Sequence, residues 1–536
     1  MSSLSTGASP LDLLVVLVCA GGIVGLGLAV SRRTFRIPAP LARAEEYFLA
    51  SRASRWPAIG LALFASNISS TAIVGLAGAA YVMGISVYDY EWSAGVVLVF
   101  YCVFLLPFVL RSRAYTMPEF LERRYDARAR LYFAALNVFL NVFVDAAAAL
   151  YCGALVCRML LPGLPLWTIV AALAGAAGLY TLVGGLRAVI YTEAVQAILL
   201  VAGAVTISVA AFMHAGGWHA VVHAVDPAKL SLIRPAADRG VPWPGLVFGI
   251  PVLGLYYWCT NQYMVQQTLS ARSLDDGRGG ALFAGLLKLS VLFLLVLPGT
   301  CAIVLFPHLQ RPDLVYPTLM LRLLPEGLLG LVAAAFVAAT MATVASTLNS
   351  ASTIITMDVV KRIVPGLSET QVVRIGRRSM AVLLLVAMLW APQLQRFGTL
   401  WQYLQAMLAY ATPPIVALVL TGAFWRGANA AGAAATLVLG TAAGAALFVL
   451  NVPLHLLHLH FLYVAPLLLG LDTAILLIVS RWSAAPASAI GSGLVWTPAH
   501  YRAETERLRT VPLWRNYRVQ ATALLILTAI VVVIFR

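Results

Sequence analysis

The sequence predicts an all-α membrane protein, in which a single integral domain of fourteen transmembrane helices covers residues 1–536. The chain is 61% hydrophobic and only 11% charged, whereas soluble proteins carry about 25% charged residues. It therefore lacks the polar surface that a water-soluble fold of this length needs. This composition excludes a cytosolic enzyme, a secreted disulfide scaffold and a nucleic-acid-binding domain.

Apolar segments of about 20 residues are long enough to cross a hydrocarbon core of about 30 Å. The fourteen predicted spans are 12–30, 56–82, 86–110, 132–160, 166–185, 188–213, 246–268, 281–306, 327–358, 379–395, 400–424, 428–451, 457–480 and 519–535. We group them into a first helix with its loop, two repeats and a set of peripheral C-terminal helices. These four parts cover residues 1–55, 56–213, 246–424 and 425–536.

The basic residues predict how the helices are oriented. Of the 36 Lys and Arg residues, 27 fall in alternate loops and seven on the opposite side. The positive-inside rule then places the basic loops in the cytoplasm and both termini outside. The net charge of +15 thus reflects topology rather than nucleic-acid binding. Arginine outnumbers lysine 33 to 3 and alanine is abundant, a bias typical of bacteria with GC-rich genomes, which indicates the inner membrane.

Polar residues interrupt two of the predicted spans. In span 56–82 five of the six residues 66–71 are polar, and in span 246–268 a proline precedes the polar run 260–263. An interrupted helix is tolerated in a membrane only where its backbone faces protein or a wet cavity. These are the second and seventh helices, so each half contains five spans and the second half must be inverted. Broken helices in corresponding positions of two halves indicate the midplane binding site of a transporter.

Four ionisable residues inside apolar spans, Glu91, Asp145, Glu193 and Lys288, are functional candidates. Each costs about 2.5–3.5 kcal/mol on insertion scales. For Lys288 the alternatives are a buried ion pair and a hydrogen-bond donor in a substrate cavity. Gln405, near the outer start of the eleventh span, either contacts the substrate or links helices as a buried polar group.

Hydroxyl side chains recur at helical spacing along the ninth span, at Thr343, Thr347 and Ser350. Together with carbonyl groups freed by a broken helix, they offer oxygen ligands that suit an alkali cation. Close packing of small residues between helices explains the same stripe. Both interpretations stay open at this point.

At these residues the sequence resembles the sodium/solute symporter family, and within it the sodium–sugar cotransporter branch with its bacterial sodium/galactose-type members. The strings that carry the resemblance follow the family order over residues 45–430 and read ASNISS…GLAG, YDYEWSAG, YTMPEFLERRYD, LYTLVGGLRAVIYTEAVQ, YYWCTNQYMVQQTLSARS, FAGLLKL and TLNSASTIITMDV. The resemblance implies fourteen helices, an inverted five-plus-five core of the LeuT type, and both chain ends outside.

The resemblance also implies which residues bind the substrate and close over it. The sugar hydroxyls would be held by Glu91, Asn261, Lys288 and Gln405, while Asn67 would brace the broken second helix. Tyr263 would cover the sugar from the inside. The outer side would be closed by Leu76, where a methionine is familiar, and by Tyr90 and Trp401.

The sodium site implied by the resemblance is built from backbone carbonyls and hydroxyls. The carbonyls would come from Ala65, Ile68 and Ala339, and the hydroxyls from two adjacent positions that are Ala342 and Thr343 here. One hydroxyl ligand is therefore missing.

Three further positions depart from the family pattern. Ala72 replaces a glutamine or histidine that contacts the sugar, Glu193 replaces an aspartate, and Asp145 is an added carboxylate within the membrane. These departures leave proton coupling through Asp145 or Glu193 as an alternative to sodium.

We expect a secondary active symporter that imports a galactose- or glucose-like monosaccharide by alternating access, driven by sodium. The alternatives are another solute, namely myo-inositol, sialic acid, an amino acid or a short carboxylate. Glu91 argues against anions, because an uncompensated carboxylate repels them. A membrane sensor and a membrane enzyme are minor alternatives. The expected partners are the sugar, Na⁺ and membrane lipid, with no cofactor beyond the coupling ion, and no motif indicates an oligomeric state.

Overall fold

The computed structural model describes residues 9–34, 49–309, 311–396, 400–483 and 494–536. Helices dominate these residues, and the β structure found among them is two isolated bridges. The helices are α1 Pro10–Thr34, α2 Trp56–Asn67, α3 Ser70–Met83, α4 Ile85–Ser112, α5 Met117–Arg124, α6 Ala127–Leu160, α7 Leu166–His214, α8 Gly217–Ala224, α9 Gly245–Cys259, α10 Gln262–Leu269, α11 Leu274–Leu305, α12 Val315–Leu323, α13 Leu328–Ile363, α14 Glu369–Trp390, α15 Leu400–Ala411, α16 Pro413–Phe424, α17 Ala430–Asn451, α18 Phe461–Trp482, α19 Pro498–Arg509 and α20 Tyr517–Ile534.

The helices that could span a membrane are fewer than the fourteen spans predicted from the sequence. The described residues contain seven helices long and apolar enough to cross a membrane, or ten if each of three bent pairs counts as one span. The count of fourteen stays a prediction. The predicted loop at residues 186–187 is wrong, because α7 runs through it as one helix of 49 residues. The glycines at 184 and 185 lower helix propensity by about 1 kcal/mol each, which weakens a helix without ending it.

The predicted break in the second span is confirmed. Helices α2 and α3 meet at an angle of 59° across residues 68 and 69. The second predicted interruption is also present, because α9 ends at Cys259 and α10 begins at Gln262. A third break was not predicted. Helices α15 and α16 are bent by 50° at Thr412, directly before Pro413 and Pro414, and proline cannot continue a helical hydrogen-bond ladder.

Five short π-helical segments widen the membrane helices in the described part of the chain. They are Tyr101–Leu105, Leu140–Ala146, Gly245–Gly249, Leu292–Val296 and Ile355–Val360. Three of them end two residues before a proline, at positions 107, 251 and 298. Proline has no N–H and its ring clashes with the carbonyl four residues earlier, so a widened turn accommodates it within a continuing helix.

Helix α13 forms the centre of the bundle. In its most apolar window 89% of the residues are buried, against 28%, 33% and 22% in α17, α18 and α20. Its buried face consists mainly of alanine, threonine and serine, which allow neighbouring helices to approach closely. Helix α13 contacts both halves of the broken second span, and it packs along α7 as well.

Arg124 connects the two halves of the chain at one end of the bundle. This residue ends α5 and is only 4% exposed. Its guanidinium donates to the carbonyl oxygens of Gly422 (2.8 Å), Trp425 (2.8 Å) and Ala428 (2.9 Å). These carbonyls lie at and just beyond the end of α16, where a helix leaves its last acceptors unpaired. We call this arrangement the Arg124 clamp.

Candidate functional site

A cavity of about 110 Å³ lies beside the break between α2 and α3. Eight of the predicted binding, gating and coupling residues line it, although they come from seven different helices. These are Asn67, Tyr90, Glu91, Asp145, Tyr263, Lys288, Thr343 and Gln405. We call this space the central cavity.

The polar wall of the central cavity is centred on Lys288. The Lys288 ammonium donates to Asn67 Oδ1 and to Glu91 Oε2. Lys288 and Glu91 are 1% and 5% exposed, so the ion pair is almost inaccessible to solvent. A buried charge is tolerated only when it is paired, which explains why α4 and α11 bring these two residues together. Lys288 is therefore both a member of a buried ion pair and a residue of the cavity wall.

Three aromatic side chains, Tyr257, Trp258 and Tyr263, form another part of the cavity wall. The Tyr263 hydroxyl donates to the Tyr257 hydroxyl, and the two rings meet edge to face with centroids 5.7 Å apart. The Lys288 ammonium lies 5.7 Å from the centroid of the Trp258 ring. Sequence reasoning singled out Tyr263 and missed Tyr257 and Trp258. The available signal was their position in the same string, six and five residues before Tyr263.

Two of the predicted binding and gating residues, Asn261 and Leu76, do not line the cavity. Asn261 caps α10, where its side-chain oxygen accepts from the Tyr263 N–H at 3.3 Å, and it does not line the cavity. Asparagine is a preferred residue at the position directly before a helix begins. Leu76 is fully buried in α3, away from the cavity. The Trp401 side chain lies outside the described residues.

The break between α2 and α3 frees two of the carbonyls predicted to bind sodium. In a continued helix the Ser69 N–H would donate to Ala65, but it donates to the Asn67 carbonyl instead (2.8 Å). The Ala72 N–H would likewise donate to Ile68, but it donates to Ser69 Oγ (3.0 Å). Both carbonyl oxygens are thus released from the helical ladder, as ligands for a cation must be.

The other predicted sodium ligands lie on α13, which contacts α2 and α3. Thr343 lines the central cavity, and its hydroxyl donates to the Ala339 carbonyl at 3.2 Å. Ala342 is completely buried and its side chain has no oxygen atom. The predicted ligand set therefore offers two released carbonyls at the break, together with the Ala339 carbonyl and the Thr343 hydroxyl on α13, which is one oxygen fewer than the resemblance implies.

The two predicted coupling residues occupy different environments. Glu193 on α7 accepts from Ser66 Oγ at 2.7 Å and from Gln267 Nε2 at 3.0 Å. It therefore connects α2 with α10, the helices next to the two predicted breaks. Asp145 instead lines the central cavity, from the π-helical segment of α6. Both residues are carboxyl groups inside the bundle, but only Asp145 can face a substrate.

Comparison with known families gives the central cavity its context. The model of the Sodium:solute symporter family matches residues 47–440, which is most of the chain and includes every residue of the central cavity. The chain belongs to this family. The symporter family is one of transporters rather than enzymes, so the protein is a sodium-coupled, multi-pass membrane transporter of a small solute, with Na⁺ as its coupling ion.

Individual relatives agree with this assignment. The symporter is 34% identical over 500 residues to the sodium/myo-inositol cotransporter 2 of Oryctolagus cuniculus, covering 84% of this chain and 74% of the relative. It is 32% identical over 544 residues to the same protein of Homo sapiens, covering 92% and 80%. It is also 34% identical over 499 residues to the sodium/myo-inositol cotransporter of Canis lupus familiaris, covering 82% and 69%.

A solved structure matches the fold of the symporter. It shows the substrate-bound, outward-open state of a Na⁺-coupled sialic acid symporter, with a TM-score of 0.78 over 89% of this chain and 99% of that chain. The sequence identity is 20%, so this likeness establishes the shared fold alone. The predicted membership in the sodium/solute symporter family, with relatives of the sodium–sugar type, is confirmed.

Proposed function

We propose that this symporter imports a neutral, polyhydroxylated six-membered ring, either a galactose- or glucose-like monosaccharide or myo-inositol. The observation that carries the proposal is the central cavity, where the Lys288–Glu91–Asn67 cluster lies near Tyr257, Trp258 and Tyr263. A sugar hydroxyl both donates and accepts hydrogen bonds. The cluster offers an ammonium donor, a carboxylate acceptor and an amide, while aromatic rings can stack on the apolar face of a ring.

The charge of the cavity wall supports a neutral substrate. Among the described residues that line it, Glu91 and Asp145 carry carboxyl groups and Lys288 carries the only ammonium. The ammonium is already paired with Glu91, so no positive charge is left for a carboxylate substrate. Sialic acid and short carboxylates would enter against Asp145, which disfavours them.

Myo-inositol is supported by a second observation, the names of the relatives at 32–34% identity. It carries a hydroxyl on every ring carbon, and Asp145 and Gln405 add polar groups to the wall beyond the Lys288 cluster. A galactose-like sugar uses the same donors and acceptors. The two substrates are therefore distinguished by experiment rather than by the wall chemistry.

We also propose that Na⁺ binds between the α2–α3 break and α13. The carbonyls of Ala65, Ile68 and Ala339 and the hydroxyl of Thr343 would be its ligands, with Glu193 as the link to the second broken helix. One Na⁺ crossing about 100 mV gains roughly 2.3 kcal/mol, and a tenfold gradient adds about 1.4 kcal/mol. The sum supports accumulation of several hundredfold. We further propose that the basic loops face the cytoplasm of a bacterial inner membrane, with both termini outside.

The deciding experiment is uptake of labelled galactose, glucose, myo-inositol and sialic acid into proteoliposomes, with and without an inward sodium gradient. We expect sodium-driven accumulation of at least one neutral ring and none of sialic acid. Gln405→Ala should weaken substrate binding at least tenfold, because a buried polar partner without its hydrogen bond costs about 1–3 kcal/mol. Gln520→Ala, at an exposed position of α20, is the control. Uptake of sialic acid alone would contradict the proposal.

A further inference from the structure

A second cavity, of about 210 Å³, lies at one end of the bundle, away from the central cavity. It is enclosed by the last turns of α4, the first turns of α11 and the helix α19. The sequence predicts that the loops next to all three elements are basic and lie on the same side of the membrane. We call this space the basic cavity.

Arg278 is the central residue of the basic cavity and is completely buried. Its Nε donates to the Cys102 carbonyl at 3.0 Å, its Nη1 donates to Glu504, and its guanidinium lies 3.8 Å from the centroid of the Tyr517 ring. Its Nη2 has no hydrogen-bond partner within the described residues. A buried guanidinium donor without an acceptor costs about 1–3 kcal/mol or more. A ligand that offers an acceptor to Arg278 Nη2 would remove this cost.

The only carboxylate on the described cavity wall is already engaged. Burial opposes the ionisation of Glu504, but hydrogen bonds from Arg278, Tyr517 and Arg518 outweigh it and hold the pKa of Glu504 below its usual range. Glu504 therefore neutralises one charge of the wall. Arg111 and Arg507 remain at the cavity as two further, exposed cations. Within the described part of the chain, Arg507 pairs with Asp275 alone, at 3.0 Å, and the Asp275 side chain is 69% exposed.

The remaining wall of the basic cavity is mostly apolar, with His500 and Tyr501 as its other polar side chains. Phe108 on α4 and Trp496 before α19 contribute aromatic surface, and Leu274 contributes an aliphatic side chain. A ligand that fits must carry acceptor oxygens for three guanidinium groups and negative charge for the two that Glu504 does not neutralise, and it can carry an apolar part as well. A phosphate group meets the first condition, because arginine binds phosphate oxygens through paired N–H donors.

We propose that the basic cavity binds a phosphate group, held by Arg278, Arg111 and Arg507. The phosphate belongs either to a membrane phospholipid headgroup, whose chains would lie along the apolar wall, or to a free phosphate from the solution. The site is independent of the central cavity and of the solute that is transported.

The test uses the purified full-length protein in detergent, with dioctanoyl phosphatidylglycerol and inorganic phosphate as probes. The dissociation constant is measured from the rise of the apparent Tm with probe concentration and from bound mass in native mass spectrometry. The double variant Arg111→Gln/Arg507→Gln should bind at least tenfold more weakly than the parent. Arg509→Gln is the matched control, because Arg509 is on the same helix with an exposed ion pair but does not line the cavity.

The two probes identify the source of the phosphate. Binding of the lipid alone indicates a headgroup site, and binding of both probes indicates that phosphate itself is sufficient. Should the double variant not purify as a single species, Arg111→Gln alone is expected to weaken binding at least threefold. The proposal is overturned if neither probe binds the parent, or if the arginine variants bind both probes as tightly as the Arg509→Gln control.

Discussion

Replacing Lys288 by methionine tests whether the polar wall of the central cavity depends on one ammonium group. This group donates to both Asn67 and Glu91, and Glu91 is only 5% exposed. Lys288→Met leaves a buried carboxylate and an amide oxygen without their donor, and breaking a buried pair in this way costs about 3–5 kcal/mol. At about 2 °C per kcal/mol, the apparent Tm should fall by about 6–10 °C.

A second substitution separates stability from binding. Adding Glu91→Gln to Lys288→Met removes the unpaired charge, so at least half of the lost Tm should return, since removing both partners of a buried pair is nearly neutral. Substrate binding should stay at least tenfold weaker, because the ammonium donor is still missing. Lys361→Met, at an exposed end of α13, is the matched control and should change neither quantity.

The assay is scanning fluorimetry at one fixed heating rate, with and without substrate, because the unfolding of such proteins is commonly irreversible. A Lys288→Met protein with the parent's Tm would show that the ion pair does not stabilise the fold. A double variant that binds substrate as the parent does would show that Lys288 does not contact it. Either result refutes the reasoning from the cluster.

Three other predictions concern sodium, the aromatic wall and pH. Thr343→Ala should raise the sodium concentration for half-maximal uptake at least tenfold, and Ala342→Ser should lower it by supplying the missing hydroxyl. Equal sodium dependence of uptake in the parent and both variants would show that α13 does not bind sodium. Tyr263→Phe should keep sodium-driven accumulation because the ring remains, whereas Tyr263→Ala should abolish it. If Tyr263→Ala accumulates solute at the parent's level, the Tyr263 ring serves only to pack the helices. Outside the membrane spans, partial burial of Glu122 is outweighed by hydrogen bonds and charges from Arg130 and Arg362, which lower its pKa below 4.5. Its contribution to stability is thus complete above about pH 4.5 and is lost as the pH falls through the lowered pKa. Glu122→Gln should therefore reduce the apparent Tm most at pH 7 and progressively less as the pH falls below 4.5; a reduction that does not change with pH would exclude the ionised pair as the cause.

The central cavity could largely be predicted from the sequence because its residues violate the rules of a lipid-facing helix. Glu91 and Lys288 are costly inside apolar spans, a buried ion pair was one of the two alternatives for Lys288, and the structure pairs the two residues. The polar run at 66–71 weakens its helix locally, and the break occurs within it. In both cases the signal lies in the residue type and its immediate neighbours, which a sequence shows directly.

Other features depend on which helices pack together, and no local pattern specifies that. Arg278 and Glu504 form an ion pair although they are 226 positions apart. Asn261 looked like a substrate residue, but its backbone position between two helices makes it a cap. The continuity of α7 and the π-helical segments reflect small differences in hydrogen-bond geometry. Prolines follow three of those segments, at positions 107, 251 and 298, and only Pro251 was interpreted from the sequence, as part of a helix interruption.

The Arg124 clamp restricts how the two halves can move during a transport cycle. Releasing it would separate three charge-assisted hydrogen bonds, each worth about 1.5–3 kcal/mol. The total, about 4.5 kcal/mol or more, exceeds the roughly 3.7 kcal/mol that one Na⁺ gains from a membrane potential of 100 mV and a tenfold gradient together. We therefore expect the end of α16 to stay bound to α5 while one ion crosses. This end of the bundle would then act as a fixed pivot, around which the other helices move to expose the cavity to each side.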